Sequence, residues 1–411
     1  MKQKSTKLGI IFQRNFTVFW IALFGFALAD ALFTLSFNWW IFEKTGSEIQ
    51  LSIAVMLTFL PMFVFGLFSG IVIDIFNRKS LLVTAAIVRS FFILLVPFFN
   101  LFSYLSIWHL YLIAFLQGTA STFFLITRGA IIPQLVSREN LFSANSLVDT
   151  SLWLANIIGY FTGAVIIGKF EPMNILLVVV FLLALVSVFC LLLQPITEDI
   201  GVIRNKSMSQ VFNSLLTGFK IIKDNRIVSI LIFTWMGIQI LFAIGPMTIG
   251  WPAFSKKILN AGPQGYGFLI VAVSISSFFG SLIIGQWGKR IDKGKLMILG
   301  FFWGSIGMLW FSLTTDLVMA LIVAFLWNSC YPMINIPYMT IIQEHVPPEE
   351  IGKVLGFAQT LAAALYPISI VLTGFIMENI SLILPFQLFA FALGFCGLVL
   401  LFNRQSTINF S

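Results

Sequence analysis

The sequence predicts an all-α membrane protein with twelve transmembrane helices arranged as two six-helix halves. Three observations carry that prediction. Hydrophobic residues make up 59% of the 411 and charged residues only 10%, a balance too apolar for a chain that must cover itself with water. Twelve apolar runs follow one another, each long enough to cross a bilayer, which takes about 20 residues. Spacings of the first half also recur in the second. Phenylalanine alone supplies 46 residues, which suits lipid-facing and interhelical surfaces.

Lys2, Lys4, Lys7 and Arg14 precede an apolar run from Phe16 to about Phe42. That run is longer than the apolar region of a signal peptide and more spans follow, so it reads as an uncleaved first helix with its N-terminus in the cytoplasm. Further runs near 49–74, 81–102, 108–133, 143–168 and 172–194 complete a first half over residues 1–194. The segment 195–226 is the one extended polar stretch and divides the chain near its middle. Within it Met208, Val211, Phe212, Leu215, Leu216, Phe219 and Ile222 recur at three- and four-residue steps, and Ser207 with Gln210 has the form of a capping box. With Lys206, Lys220, Lys223 and Arg226 around that stripe, the segment predicts an amphipathic helix on the cytoplasmic membrane surface. A docking helix for a partner protein is the other reading. Six more runs, at about 227–252, 264–287, 296–315, 317–343, 353–377 and 380–402, form a second half over 227–411.

Between the second and third runs lies a charged hairpin, Gly70 to Leu82, with Asp74 four residues after Gly70 and then Arg78 and Lys79. Asn77 suits a tight turn because it tolerates positive φ. Arg78 and Lys79 fit a cytoplasmic headgroup region, and Gly70 lets a neighbouring helix approach. A generic positive-inside loop accounts for the two basic residues but not for Asp74.

This hairpin resembles the signature loop between the second and third helices of the major facilitator superfamily, Gly-x-x-x-Asp-x-x-Gly-Arg-Lys, with Asn77 in the second glycine position. The approach to it, through Glu43-Lys44-Thr45-Gly46-Ser47, Leu51-Ser52, Leu60-Pro61 and Gly66, is similar to the macrolide-efflux and siderophore-exporter branch. The resemblance implies the major facilitator fold and alternating-access transport, with Gly70, Asp74, Arg78 and Lys79 as a gating hairpin. Asp74 is expected to face the positive N-terminus of a helix in the second half, near Gly352.

The internal repeat agrees with that fold. Setting Gly70 against Gly285 places Asp74 opposite Lys289, Arg78 opposite Lys293 and Leu81 opposite Leu296, so the second hairpin is degenerate and lacks the acid. Ile131-Ile132, Val136 and Glu139 match Ile341-Ile342, Val346 and Glu349 at nearly the same offset. With the N-terminus inside, the outer loops hold Lys44, Lys169, Lys256 and Lys257, which leaves about 20 of the 24 Lys and Arg on the cytoplasmic side. Both termini are then cytoplasmic in a plasma-membrane protein.

Composition also excludes. The formal charge of +8 follows from basic cytoplasmic loops, so nucleic acid is not an expected partner. Cys190, Cys330 and Cys396 fall inside apolar runs without short spacing, and His109 and His345 lie near span ends, so neither a disulfide framework nor a metal site is expected. The sequence lacks a phosphate-binding Gly-x-x-x-x-Gly-Lys-Ser/Thr loop, so ATP is not expected to drive transport, and no enzymatic activity or cofactor is expected.

A gradient-driven transporter needs an ionisable group inside the membrane. Asp30, about 14 residues into the first run, is the deep acidic candidate and the expected proton-coupling residue, since apolar surroundings favour the protonated form of a carboxylate. A hydrogen-bonded tie between helices is the alternative role. Arg89 and Arg128 are read as snorkelling residues, because each lies near a cytoplasmic span end. The resemblance adds that proton-coupled exporters usually carry an Arg early in the fourth helix, where this chain has Gln117. Their fifth-helix Gly-x-x-x-Gly-Pro motif is reduced here to Gly159-Tyr160-Phe161-Thr162-Gly163. Gln117, Trp235, Gln239, Asn328, Tyr331 and Asn335 are candidates for a substrate cavity of aromatic and amide character, which suits a large amphipathic compound.

The reading is a secondary efflux transporter that exchanges protons for a macrolide- or drug-like small molecule and works as a monomer in the bilayer. Siderophore export is the alternative. An importer and a non-transporting receptor or scaffold are the remaining readings.

Overall fold

The computed structural model describes residues 13–66, 77–137, 141–194, 208–234, 239–287 and 291–406, and among these it is helical, without strands. In chain order the helices are α1 (Arg14–Thr45), α2 (Glu48–Gly66), α3 (Arg78–Leu101), α4 (Ile107–Leu135), α5 (Leu141–Ile167) and α6 (Pro172–Leu191). There follow α7 (Met208–Asp224), α8 (Arg226–Leu231), α9 (Gln239–Gly245), a π-helical turn (Pro246–Gly250) and α10 (Trp251–Lys257). The chain ends with α11 (Gly262–Trp287), α12 (Lys293–Ser312), α13 (Leu317–Asn328), α14 (Cys330–His345), α15 (Pro348–Asn379) and α16 (Leu384–Ser406).

Among the described residues eleven stretches are long and apolar enough to cross a membrane, one of them running through α13 and α14. The expected seventh span is the exception. Over 227–252 the chain forms the short helices α8, α9 and α10 with the π turn between the last two, and residues 235–238 lie outside the described part. Pro246 and Pro252 explain part of the interruption, because neither carries the N–H that would bond to the carbonyl four residues back. The N–H of Gly245 instead donates to Ser369 Oγ at 3.0 Å, so α15 supplies a partner from outside the helix. The break at Ser329 between α13 and α14 has the same origin, since Pro332 removes the donor for the preceding turn. The Leu326 carbonyl at the break accepts from Ser329 N at 3.4 Å and also from Trp303 Nε1 at 2.9 Å and from Ser329 Oγ at 2.7 Å.

Polar side chains start the helices where the backbone leaves donors unmet. Asn77 accepts from Ser80 N at 3.1 Å to cap α3, Asn225 caps α8, Asp292 caps α12 and Asp316 caps α13. Asn77 therefore does not use its tolerance for positive φ. Its φ is −60° and ψ 123°, the extended conformation of an N-cap.

By their contacts the helices fall into two compact units, Met1–Trp40 with Leu57–Ser207 and Ile41–Met56 with Met208–Ser411. In the first unit α3 packs on both α4 and α6, and Ser90 Oγ donates to the Val180 carbonyl at 3.0 Å. Gly159 and Gly163 of α5 lie against Ala31 and Leu28 and against Leu35 and Leu32 of α1, where a Cβ would collide. Trp20 Nε1 adds a bond to Ser151 Oγ at 2.8 Å. In the second unit α12 packs against α16 and α14, and α9 against α15. The amphipathic stripe of the polar segment does form a helix, α7, with Ile222 buried and the Phe219 ring 5.4 Å from Phe357 of α15. Its apolar face is thus partly taken up by protein. Ser207, the expected cap, lies outside the described residues.

Candidate functional site

Asp30 sits near the middle of the 32-residue α1 and forms an ion pair with Nη2 of Arg89 on α3. Arg89 comes eleven residues after the start of α3, about 16 Å along the helix at 1.5 Å per residue. It is therefore too deep to snorkel, and it is 2% exposed. Its place on α3 explains its direction. Leu82, Ala86, Arg89, Ile93 and Val96 are all buried and follow one another at steps of four and three, so the guanidinium emerges from the inward stripe of the helix.

Gln117 completes the arrangement from α4. Its Oε1 accepts from Arg89 Nε at 3.3 Å, and its Nε2 donates to the Ala114 carbonyl at 3.2 Å and Thr58 Oγ1 at 3.4 Å. Gln117 is fully buried, so it faces a polar cluster and not an open cavity wall. Two aromatic faces close on the same guanidinium: the Phe26 ring lies 4.7 Å from its carbon and Phe33 5.7 Å. Phe26 in turn stacks on Phe124 with ring centroids 3.9 Å apart. Such contacts are worth about 0.5 to 2 kcal/mol each for a desolvated cation.

The two members of the pair meet solvent unequally. The Asp30 side chain is 46% exposed and borders a cavity of about 150 Å³ lined also by Leu23, Phe26, Leu125, Arg128 and Asn156. Arg128 bonds to Asp149 at 3.4 Å, so its charge at the cavity edge is matched by a carboxylate of α5.

A second charged cluster gathers the end of α1 and the start of α2 within the second unit. Glu48, 1% exposed, accepts from Lys257 Nζ of α10 at 2.5 Å. Lys256 and Lys257 lie 5.2 and 5.7 Å from the centre of the buried Phe42 ring. Glu378 of α15 accepts from Ser47 Oγ at 2.5 Å and from Ile49 N at 2.9 Å, which satisfies the first turn of α2.

The other candidates are scattered. Gly70, Asp74 and Trp235 lie outside the described residues, as does the proposed partnership of Asp74 with the helix near Gly352. Gln239 begins α9. Lys79 donates to the Leu193 carbonyl at 2.5 Å just past the end of α6, and Arg78 begins α3. Asn328 is buried and donates to the Val273 carbonyl at 2.9 Å and Ser277 Oγ at 2.6 Å, tying α13 to α11. Tyr331 is exposed and Asn335 half-buried on α14. Counting residues from the hairpin places Arg89 near the membrane surface and hides its depth. The apolar stripe on either side of it was the available signal.

Comparison with known proteins gives one consistent answer. The profile of the Major Facilitator Superfamily matches residues 19–365 and 247–409. Macrolide efflux protein A of Streptococcus pyogenes is 21% identical over 376 residues, covering 89% of this chain and 90% of that protein. Enterobactin exporter EntS of Escherichia coli O1:K1 / APEC is 22% identical over 317 residues, covering 76% and 73%. The crystal structure of a D-xylose-proton symporter superposes with a TM-score of 0.74 at 14% identity, covering 99% of each chain.

Proposed function

Because the chain belongs to the major facilitator superfamily, we propose that it exports an amphipathic small molecule from the cytoplasm in exchange for protons, by alternating access. The observation that carries the proton-exchange reading is the Asp30–Arg89 pair, an acid open to a cavity at mid-span with its counter-charge sealed behind it. A lone carboxylate at that depth costs about 3 kcal/mol or more. The arginine offsets that cost while Asp30 is ionised, and a proton does so when it is not. Export as the direction and a macrolide- or drug-like cargo are supported by the efflux relatives. The aromatic and amide groups of α14, Tyr331 and Asn335, are the wall we assign to that cargo. The protein acts as a monomer in the plasma membrane with both termini cytoplasmic, as the distribution of basic residues implies.

Everted vesicles from cells expressing the chain should accumulate erythromycin when respiration acidifies the lumen, and a protonophore should abolish the accumulation. Absence of accumulation under any gradient would end the antiport reading. Siderophore export is favoured as a second reading by the enterobactin-exporter relative. A deletion strain distinguishes the two: macrolide sensitivity with normal secretion of iron chelators supports the first, and the reverse supports the second.

A further inference from the structure

We propose, resting on the export reading, that the small cavity of the first unit seats the polar head of the exported compound, and that it selects a protonated amine with a hydroxyl on the neighbouring carbon. Three helices build the space, and each brings one polar side chain on an otherwise apolar face. Asp30 follows Phe26 by four residues on α1, Arg128 follows Leu125 by three on α4, and Asn156 follows Leu152 by four on α5. An apolar pocket into which a few polar groups converge is the form that a small-molecule site takes.

The two charges that line the cavity are opposite, and the partner of each stands outside the lining. Arg89 bonds to Asp30 Oδ1 from α3, and Asp149 of α5 reaches Arg128 Nη2 at 3.4 Å. The four charges cancel, so a ligand meets a dipole instead of a net charge. Neither partner uses up the group it holds. Oδ2 is the oxygen that a half-exposed Asp30 keeps for the cavity, and one long bond from Nη2 leaves Arg128 further N–H groups to give. The Asn156 amide makes no side-chain hydrogen bond among the described residues. A simple cation would pair with Asp30 and be repelled by Arg128, and a simple anion would meet the reverse. An amine beside a hydroxyl suits both ends: the ammonium donates to Oδ2, and the hydroxyl oxygen accepts from Arg128 or Asn156. Size points the same way. About 150 Å³ equals the volume of about five waters, enough for a substituted amine and its neighbours but not for a macrolide ring. The amino sugar of erythromycin, a dimethylammonium next to a hydroxyl-bearing carbon, has this pattern.

Calorimetric titration of the full-length protein in lipid nanodiscs near neutral pH tests this without any gradient. Three probes are compared: erythromycin, its N-demethyl-N-acetyl derivative, whose nitrogen is neutral, and a derivative with hydrogen in place of the neighbouring hydroxyl. Each derivative should bind the parent protein about tenfold more weakly than erythromycin, the size of one lost hydrogen bond to a charged group. Arg128→Met combined with Asn156→Leu should weaken erythromycin by about the same factor and leave the deoxy derivative unchanged, because the bond they supply is already missing there. Asp30→Asn should do the same for erythromycin and the N-acetyl derivative. The derivatives probe the unaltered protein, so the test holds even where a variant fails to fold. Equal affinity of the parent for all three probes overturns the subsite and leaves the export reading standing. Discrimination that persists undiminished in the variants places the head elsewhere and overturns it too. Failure of erythromycin to bind the parent at all overturns the macrolide cargo, and the subsite with it.

Discussion

The molecule holds two ion pairs that are mirror images of each other in exposure. In the first unit the acid is open and the base sealed, Asp30 at 46% and Arg89 at 2%. In the second the acid is sealed and the base open, Glu48 at 1% and Lys257 at 47%. The difference teaches which member of each pair water can reach. In the first pair the carboxylate borders a cavity while the guanidinium is sealed behind it. The second pair offers only a lysine to solvent, and its carboxylate is wrapped by the ends of α1 and α2. That arrangement is the geometry of a fastener.

The sharpest break of this comparison is Asp30→Asn. The variant keeps shape and hydrogen bonding but cannot titrate, so gradient-driven accumulation in proteoliposomes should fall to equilibrium while downhill flux continues. Glu48→Gln should retain uphill transport. If both variants still accumulate the compound, the distinction between the pairs has no functional meaning.

Stability provides the next test, and it depends on which member is left behind. Lys257→Ala strands a sealed carboxylate, and Asp30→Ala strands a sealed guanidinium. Lys257→Ala should destabilise the protein by about 3 to 5 kcal/mol, and Asp30→Ala by less, because Arg89 keeps Gln117 and the faces of Phe26 and Phe33. Removing the sealed member instead, as in Glu48→Ala or Arg89→Ala, leaves an exposed group that water can solvate and should cost less electrostatically. Thermal unfolding of the four variants in one detergent checks the ordering.

A smaller effect is expected at the contact that seats α2 on α15. A Cβ at Gly374 would run into Ser52 and the Glu48 carbonyl, so Gly374→Ala should cost about 1 to 3 kcal/mol through displaced backbone. It should also raise the labelling rate of a cysteine placed at Ser47. The equivalent change at Gly356, where a Cβ would meet nothing among the described residues, should be silent in both assays.

The smallest effect belongs to Glu378, an exposed residue whose carboxylate caps the start of α2. Glu378→Gln should cost at most about 1 kcal/mol, since the amide oxygen can still accept one of the two bonds. Hydrogen exchange should quicken at Ile49 and its neighbours, with no change around Arg89.

Much of this architecture was determined by the sequence alone, and the reason is local. Spans are dictated by runs of apolar residues, because a bilayer demands that each segment satisfy its own backbone, and eleven of the twelve runs return among the described residues as stretches long and apolar enough to cross, one of them interrupted at Ser329. The N-cap of α8 and the helical stripe from Met208 to Ile222 rest likewise on neighbours in the chain. Asp30 stood out because an acid at mid-span is rare in any context. What only the tertiary structure decided was partnership. Arg89 lies 59 residues from Asp30 in sequence and Gln117 another 28 beyond, and no periodicity links them. Distance from a hairpin measures depth along one helix, whereas pairing depends on the rotation and lateral packing of several. Gly159 against Ala31 fixes α1, and the stripe from Leu82 to Val96 turns Arg89 inward. The breaks near Pro246 and at Ser329 were equally beyond local reading, because Ser369 and Trp303, which bond to the backbone beside them, come from other helices.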